Sequence, residues 1–410
     1  MFCMKFEFKN TFLFISTLLI LVGCSSVKNK TTSNINNPIQ PTSKFSKETK
    51  FKTGAENYAA YLPLLANKKV GIVTNPTGIV ENKKHLVDFL FEKQINLLKI
   101  YAPEHGFRGT ADAGEMIKDG KDSKTNLPII SLYGNNKKPK PEQLVDIDMM
   151  VFDIQDVGAR FYTYISTLHY VMEACAENNI ELLVFDRPNP NGNIVDGPVL
   201  ETEHKSFVGM HPIPVLHGMT IGEYAKMING EKWLANGIQC NIKVIPCTNY
   251  KRDMIYSLPM KPSPNLPNDQ AINLYASLCF FEGTNVSVGR GTEKQFQIYG
   301  SPFLTNFNFN FTPISNFGAK EPMHKDVLCI GEDLTKIKKV TRLELKWLLK
   351  AYSDTSDKTV FFNDFFTKLA GTKKLQEQIV TGVSEKEIRK SWEAGLASFK
   401  EMRKQYLIYN

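Results

Sequence analysis

One short turn carries three residue types that acid–base catalysis uses. In YAPEHGFRG, residues 101–109, Glu104, His105 and Arg108 follow the apolar run INLLKI, which predicts a strand. A carboxyl group in such a turn can act as a general acid, which donates a proton to a leaving group. Glu104 is our first candidate for that general acid; in the alternative interpretation it binds Arg108 and only shapes the turn. His105 either contacts a substrate or braces the same turn.

Polar residues also end three other apolar runs of the chain. The clusters are Asn75 with Pro76, Asp153 with Gln155 and Asp156, and Asp186 with Arg187, Pro188 and Asn189; the segment GARFYTYIST adds Arg160, Tyr162 and Tyr164. Ligands of an open parallel sheet bind outside the carboxyl ends of its strands, so we expect these side chains to share one cleft. Tyr162 and Tyr164 would face one way in an extended segment. Carboxylates, tyrosine rings and an arginine together suit a sugar with a negative group.

The elements that must position these residues alternate along the chain. From residue 68, short β-branched runs such as KVGIVT, DIDMMVFDI and IELLVF are separated by helix-like stretches. Runs that are apolar on both faces favour parallel strands, so residues 51–254 are predicted to form an α/β domain. Within it, a helix is predicted to begin after Thr220 and to end before Gly237. Residues 255–410 follow the Pro- and Asn-rich connection MKPSPNLPND and are predicted to form a second, smaller α+β domain.

The N-terminus is predicted to lie outside the fold. Two lysines precede the apolar run TFLFISTLLILV, which is too short to span a bilayer comfortably and ends in LVGC. The pattern resembles a bacterial lipoprotein signal, residues 1–23, that leaves Cys24 acylated; a plain signal peptide or a short anchor is the alternative. Residues 24–50 are rich in Ser, Thr, Asn and Lys, which predicts a flexible tether. We therefore expect a lipid-anchored protein of the cell envelope that faces the periplasm.

Composition and missing motifs argue against several classes of function. The 410 residues carry a formal charge of +8, and because the lysines are scattered, no nucleic-acid partner is expected. The sequence has no GxGxxG after its first strand, no phosphate-binding GxxxxGK loop, no HExxH and no GxSxG. We therefore expect no nucleotide cofactor and no metal, and a serine nucleophile lacks a motif.

The cysteines predict buried thiols rather than disulfides. Without Cys3 and Cys24, five of the seven remain, at positions 175, 240, 247, 279 and 329, with no metal-ligand spacing. Cys240 and Cys247 flank the predicted strand NIKVIP. An extended strand of that length spans about 23 Å, far beyond the reach of a disulfide.

Several motifs together resemble one family of enzymes. They are YAPEHGFRG, FDIQDVGARFYTYISTL, VFDRPNPNG, VDGP, HGMTIGEYA, PSPNLP and FEGTNVSVGRGT, in this order along the chain. The chain resembles the exo-β-N-acetylmuramidase (NamZ) family of peptidoglycan hydrolases. The resemblance implies a Rossmann-like domain beside a smaller auxiliary domain, with the active site in the cleft between them. It also implies release of terminal N-acetylmuramic acid from the non-reducing end of peptidoglycan-derived saccharides.

The carboxylate that works with Glu104 stays open at this point. Asp153 and Asp156 at a strand end, and Glu282 in FEGTNVSVGRGT, are the candidates for acting on water, for acting as nucleophile or for orienting the substrate. An aspartate in the position of Asp156 can instead cap the next helix.

Three arginines are candidates for binding the lactyl carboxylate that distinguishes N-acetylmuramic acid from N-acetylglucosamine. Arg160, Arg187 and Arg290 qualify because a guanidinium binds a carboxylate through two hydrogen bonds, which lysine cannot do. The alternative for each is a structural ion pair, for Arg187 with Asp186 or Asp196. The matching motifs also put Asp186, Asn189 and Asn285 among the expected substrate-binding residues, while His211 and His217 are interpreted as structural.

Two functions of different classes are compatible with these residues. The first is an exo-acting glycoside hydrolase; the second is a non-catalytic, lipid-tethered binding protein for cell-wall sugars. Only the hydrolase requires Glu104 to exchange a proton, so Glu104→Gln distinguishes them. An esterase or amidase acting on the same polymer is disfavoured because no nucleophile motif is present.

Overall fold

The fold is built on a seven-stranded sheet that is parallel except at one edge. The structure is a computed structural model, and it describes residues 50–108 and 119–410. The strands are β1 (Val70–Thr74), β2 (Leu97–Ala102), β3 (Gly120–Lys121), β4 (Pro128–Ser131), β5 (Met149–Asp153), β6 (Glu181–Phe185), β7 (Asp196–Val199), β8 (Pro214–Leu216), β9 (Ile242–Ile245), β10 (Ile298–Ser301), β11 (Phe309–Phe311) and β12 (Cys329–Asp333). The sheet order is β3-β4-β2-β1-β5-β6-β9, with only β3 antiparallel to its neighbour. The predicted α/β class with a Rossmann-like parallel sheet is confirmed.

Helices cover both faces of this sheet, which is why its strands are apolar throughout. The helices are α1 (Tyr58–Leu65), α2 (Leu86–Glu92), α3 (Pro141–Leu144), α4 (Tyr164–Glu177), α5 (Ile221–Gly230), α6 (Asp269–Leu278), α7 (Lys346–Asp354), α8 (Phe365–Ala370), α9 (Lys374–Val380) and α10 (Glu385–Arg403). Leu65 and Leu90, from α1 and α2, pack in one core cluster, whereas Leu168 and Tyr224, from α4 and α5, pack in the other. All five residues of β1 and of β5 are buried between these layers. Burial on both faces is typical of parallel sheets.

Helix α5 begins where the sequence predicts and ends earlier. Thr220 caps it: the hydroxyl accepts from the Glu223 backbone N–H, and the Glu223 carboxylate accepts from the Thr220 N–H. The predicted end before Gly237 is wrong, because α5 stops at Gly230 and a separate 3₁₀ turn covers Ala235–Gly237. Lys232, between them, has a left-handed φ of 54°, which no helix accommodates.

The second half of the chain, residues 255–410, forms a smaller α+β region. It shares a core with the first half, residues 50–254. Its strands β10, β12 and β11 make an antiparallel sheet, while the two-stranded sheet of β7 and β8 belongs to the first half. Leu168 of the first half and Tyr275 and Phe366 of the second belong to the same core cluster. The chain end also returns to the large sheet, where the Tyr409 hydroxyl donates to Asp186 Oδ2 at 2.6 Å. The boundary between residues 254 and 255 stays a prediction.

The five cysteines of the described region are buried free thiols, as predicted. Within residues 50–108 and 119–410, no helix has the length and apolar character needed to cross a bilayer. The predicted signal peptide, Cys24 and all but the last residue of the predicted tether lie outside the described residues.

Candidate active site

Glu104 lies just beyond the carboxyl end of β2, in a tight turn. The turn closes with a hydrogen bond of 3.1 Å from the Gly106 N–H to the Pro103 carbonyl. His105 and Gly106 both have left-handed backbone angles, with φ of 71° and 74°. Such angles are costly for His105, and they turn the chain sharply enough to keep Glu104 half-buried at the sheet edge.

Two hydroxyl groups from neighbouring strand ends donate to the Glu104 carboxylate. Tyr133, which follows β4, donates to Oε1 at 3.3 Å, and Thr163, which precedes α4, donates to Oε2 at 3.4 Å. Burial, together with the negative charge of Glu104, raises the pKa of Tyr133 to about 12, so its hydroxyl stays a donor. The carboxylate is therefore oriented by groups from β4 and from the loop after β5.

Arg108, in the same turn, forms its ion pairs elsewhere. Its Nη2 lies 2.9 Å from Asp88 Oδ1 and its Nε lies 2.8 Å from Asp122 Oδ1. These two aspartates hold the guanidinium and anchor the turn to α2, while Glu104 faces Tyr133 and Thr163.

The Glu104 carboxylate borders a cleft to which both halves of the chain contribute. The cleft has a cavity volume of about 70 Å³ and is lined by Glu104, His105, Phe161, Tyr162, Thr163, Tyr164, Ser263, Leu266, Tyr275, Arg290 and Phe296. Of the residues predicted to share one cleft, the structure brings together Glu104, His105, Tyr162 and Tyr164, and it adds Arg290, a predicted carboxylate-binding residue. Carboxylate, guanidinium and aromatic groups meet here, which is a chemistry that suits an anionic sugar.

Arg290 is held in this cleft by Glu282. Its Nε donates to Glu282 Oε1 at 2.6 Å, and its guanidinium carbon lies 5.1 Å from the centre of the Phe296 ring. The Nη1 and Nη2 groups have no hydrogen-bond partner among the residues that the structure describes. Burial alone would lower the pKa of Arg290, but the Glu282 carboxylate reverses this and raises it. Glu282 itself does not line the cleft and also accepts from Cys279 Sγ at 3.5 Å.

Tyr162 and Tyr164 line the cleft, but not in the predicted extended segment. Tyr162 lies in a turn and Tyr164 is the first residue of α4. Their rings meet edge to face, with centroids 5.0 Å apart, and both hydroxyls donate to the Pro262 carbonyl, at 2.7 and 3.4 Å. Burial raises the pKa of both tyrosines further above their ordinary value of 10.0, so both hydroxyls stay protonated. The pair joins the first half of the chain to the segment that contributes Ser263.

Asp153 and Arg187 form a buried ion pair below the sheet edge. Arg187 Nε lies 2.6 Å from Asp153 Oδ1, and Nη2 lies 2.9 Å from Oδ2 and 3.0 Å from the Ile79 carbonyl. The structural alternative for Arg187 is thus realised with Asp153, and not with Asp186 or Asp196. Arg187 also borders a separate cavity of about 520 Å³ that is lined by none of the residues around Glu104.

Arg160 is enclosed completely. Its guanidinium donates to four carbonyl oxygens at 2.7–2.8 Å, those of Pro198, Ile213, Leu369 and Ala370. Burial lowers the pKa of Arg160 to about 9. The side chain connects the two halves of the chain and does not line the cleft.

Asp156 and Asp186 are buried acids. Asp156 Oδ2 accepts from the Gly158 N–H at 2.6 Å, and burial raises the pKa of Asp156 to about 7. The residue before α4 is Thr163, so the alternative in which Asp156 caps that helix is wrong. Asp186 accepts from Thr220, Gly222 and Tyr409, and burial raises the pKa of this carboxyl to about 6.

The two predicted asparagines also lie outside the cleft lining. Asn189 donates to the Met219 carbonyl at 2.9 Å and accepts from the Asn191 N–H at 2.8 Å. The Asn285 amide is buried with no hydrogen-bond partner in the described part of the chain. Binding roles for these residues, and catalytic roles for Asp153, Asp156 and Glu282, stay predictions.

Sequence reasoning missed Tyr133, which donates to Glu104 but does not line the cleft, and several residues that do line it. Tyr133 ends the apolar run LPIISLYG, so the rule that flagged Glu104, a polar residue after a strand, applies to it as well. Ser263 lies in the motif PSPNLP. Tyr275 and Phe296 carry no such signal, because an aromatic residue in a helix or loop usually belongs to the core.

Elsewhere in the described residues, two carboxylates and one imidazole lie close enough to one another to hold a metal ion. Glu201, Glu203 and His204 meet within 4.8 Å on a 3₁₀ turn away from the cleft lining. Glu201 already pairs with Lys374 and Thr372, at 2.6 and 2.8 Å. This group is therefore not part of the candidate active site.

Comparisons with known proteins point to one family. The model of the N-terminal domain of exo-beta-N-acetylmuramidase NamZ matches residues 70–270, and the model of its C-terminal domain matches residues 273–409. A relative from Bacillus subtilis (strain 168), named peptidoglycan beta-N-acetylmuramidase NamZ, is 39% identical over 388 residues, which cover 88% of this chain and 92% of that protein.

Two crystal structures from Bacteroides fragilis have a similar fold. Both are described as DUF1343 family proteins, and each comparison covers 88% of this chain and 99% of the other. One is 45% identical with a TM-score of 0.82, and the other is 31% identical with a TM-score of 0.74.

Proposed function

The chain belongs to the exo-beta-N-acetylmuramidase NamZ family, and from this premise we propose that it is a glycoside hydrolase that acts on peptidoglycan fragments. It releases terminal N-acetylmuramic acid from the non-reducing end of the saccharide. The observation that carries this proposal is the cleft in which the oriented Glu104 carboxyl group and the Arg290 guanidinium both take part. The name of the Bacillus subtilis relative supports the same substrate.

Glu104 acts as the general acid in this proposal. Its protonated carboxyl group donates to the glycosidic oxygen while the bond from that oxygen to the anomeric carbon breaks. A water oxygen then bonds to the anomeric carbon, and a carboxylate of the site accepts the proton that this water loses. Tyr133 and Thr163 are positioning residues, because each fixes one carboxylate oxygen. Glu282 acts through Arg290, whose Nε it binds.

Arg290 gives the cleft its preference for muramic acid. Its Nη1 and Nη2 groups, which have no partner among the described residues, offer the planar pair of donors that a carboxylate accepts. The lactyl carboxylate is absent from N-acetylglucosamine, so that sugar would leave these donors without their partner. Tyr162 and Tyr164 supply the aromatic wall beside the ring.

The direct test is hydrolysis of a chromogenic N-acetylmuramide beside the matching N-acetylglucosaminide. We expect cleavage of the muramide, and Glu104→Gln should lower kcat at least about 100-fold, the usual contribution of a general acid. Binding of N-acetylmuramic acid to Glu104→Gln, measured by calorimetry, should persist.

The matched control is Glu142→Gln, which changes an exposed glutamate on α3 and should leave kcat unaltered. Wild-type protein that binds the sugar without turnover would instead identify a non-catalytic binding protein. Full activity of Glu104→Gln would remove Glu104 from the mechanism.

We further propose that the enzyme is a lipoprotein that is anchored through Cys24 and faces the periplasm. The support comes from the sequence alone: LVGC ends an apolar run and is followed by a polar segment that is predicted to be a flexible tether. Cys24→Ser should abolish labelling with radioactive fatty acid and release the protein from membranes. A Cys24→Ser protein that still carries the label would contradict the anchor.

A further inference from the structure

The segment between β11 and β12 connects two parts of the cleft lining. The Ile314 N–H donates to the Gly291 carbonyl at 2.9 Å, next to cleft-lining Arg290. Four residues later, the Gly318 carbonyl accepts from Asn265 Nδ2 at 2.7 Å, and Asn265 lies between Ser263 and Leu266 of the lining. Residues 314–318 therefore run from the Arg290 side of the cleft to the Ser263 side.

A glycine permits the close approach at the second of these contacts. Gly318 has φ of 97°, and a Cβ atom there would lie 2.9 Å from Pro264 Cβ. Any larger residue would push the segment away from residues 263–266. The position of the segment beside the cleft is thus specified by the sequence.

This segment exposes two large apolar side chains. Ile314 is 56% exposed and Phe317 is 55% exposed. Lys261, two residues before Ser263, has its Nζ 6.0 Å from the centre of the Phe317 ring. Apolar side chains that are exposed beside a ligand cleft commonly belong to the binding surface.

We propose that Phe317, supported by Ile314, binds the sugar that is linked to the terminal N-acetylmuramic acid. The inference rests on the proposed function. If the terminal sugar occupies the cleft, the rest of the bound saccharide must extend out of the cleft along the segments that surround it. Sugar rings have an apolar C–H face, which an exposed phenyl ring can cover. Binding energy from this second sugar then lowers the barrier for cleaving the first.

The test compares two substrates that differ only in the leaving group on the anomeric carbon of the muramic acid. One is the β-1,4-linked disaccharide of N-acetylmuramic acid and N-acetylglucosamine; the other is N-acetylmuramyl fluoride, whose leaving group is one atom. Phe317→Ala should lower kcat/KM for the disaccharide roughly 3- to 12-fold, the upper part of the effect of losing one aromatic contact. It should leave kcat/KM for the fluoride within about twofold, and Phe317→Tyr should restore the disaccharide rate.

Phe91→Ala is the matched control, because Phe91 is 50% exposed on α2, which contributes no residue to the cleft lining. Ile314→Ser should reproduce the selective loss in weaker form, which tests the surface through a second residue. An equal loss on both substrates, or no loss on the disaccharide, overturns the inference while the hydrolase assignment stands. Wild-type protein that cleaves neither substrate overturns the proposed function, and this inference with it.

Discussion

Removal of the Arg290 guanidinium should abolish the preference for muramic acid without abolishing cleavage. Arg290 is the one of the three predicted arginines that lines the cleft, and its Nη1 and Nη2 groups have no hydrogen-bond partner in the described part of the chain. Arg160 donates to four carbonyls and Arg187 is paired with Asp153. A new carboxylate can therefore bind Arg290 at the smallest cost in existing contacts.

The size of the effect depends on the surroundings of Arg290. A bidentate, charge-assisted contact contributes about 1.5–3 kcal/mol. The side chain is 27% exposed and already shares its charge with Glu282, so we expect the lower part of that range, about 1.5–2 kcal/mol. Because about 1.4 kcal/mol is a factor of ten, Arg290→Ala should lower kcat/KM for the muramide roughly 10- to 30-fold.

The assay measures kcat/KM for the chromogenic muramide and glucosaminide with wild type, Arg290→Ala and Arg290→Lys. The low rate on the glucosaminide should change little, and Arg290→Lys should recover only part of the loss, because lysine keeps the charge but not the planar pair of donors. Arg342→Ala, which removes an arginine that is 51% exposed, is the control. A variant that keeps the wild-type preference, or that loses both substrates equally, would refute the carboxylate contact.

Three further predictions concern the groups around the cleft. Tyr133→Phe removes the hydroxyl that donates to Glu104 and should lower kcat about 5- to 10-fold with KM nearly unchanged, as measured by steady-state kinetics; a change in KM alone would contradict a positioning role. Asp153→Ala leaves Arg187 buried without its carboxylate and should lower the free energy of unfolding by about 3–5 kcal/mol in urea titrations; a loss below about 1 kcal/mol would contradict it. Because burial raises the pKa of Asp156 from 3.8 to about 7, its ionisation should reduce stability progressively as pH rises through that window, so Asp156→Asn should be more stable than wild type at pH 8 and not at pH 4, by thermal unfolding.

Local sequence pattern predicted the strand ends correctly because strand periodicity and turn chemistry are local properties. Asp153 is the last residue of β5, and Glu104 and Asp186 come just after β2 and β6 in the manner expected of a parallel sheet. Which of these acids reaches the cleft is decided by packing over long distances along the chain. Asp186 is covered by Tyr409, which is 223 residues away in sequence, and no local pattern reports such a contact.

Arginines near the predicted cleft were easy to identify and hard to assign for the same physical reason. Residue type indicates that a guanidinium can bind a carboxylate, but only the fold determines whether that carboxylate is a substrate or part of the protein. For Arg187 the partner is Asp153, and for Arg290 it is Glu282, bound through Nε alone. The two arginines therefore differ in how many guanidinium N–H donors remain available to a ligand after folding.

Arg160 joins the two halves of the chain that form the cleft. Two of its carbonyl partners, Pro198 and Ile213, belong to the first half of the chain, and the other two, Leu369 and Ala370, belong to the second. Separating the halves would take both carbonyl acceptors away from Nη2, and leaving a charged donor without its partners is costly. The halves that contribute Glu104 and Arg290 to one cleft are therefore held together before any ligand binds. Under the proposed function, selectivity then comes from groups already in place, since a preorganised site loses little free energy to reorganisation when the correct sugar enters.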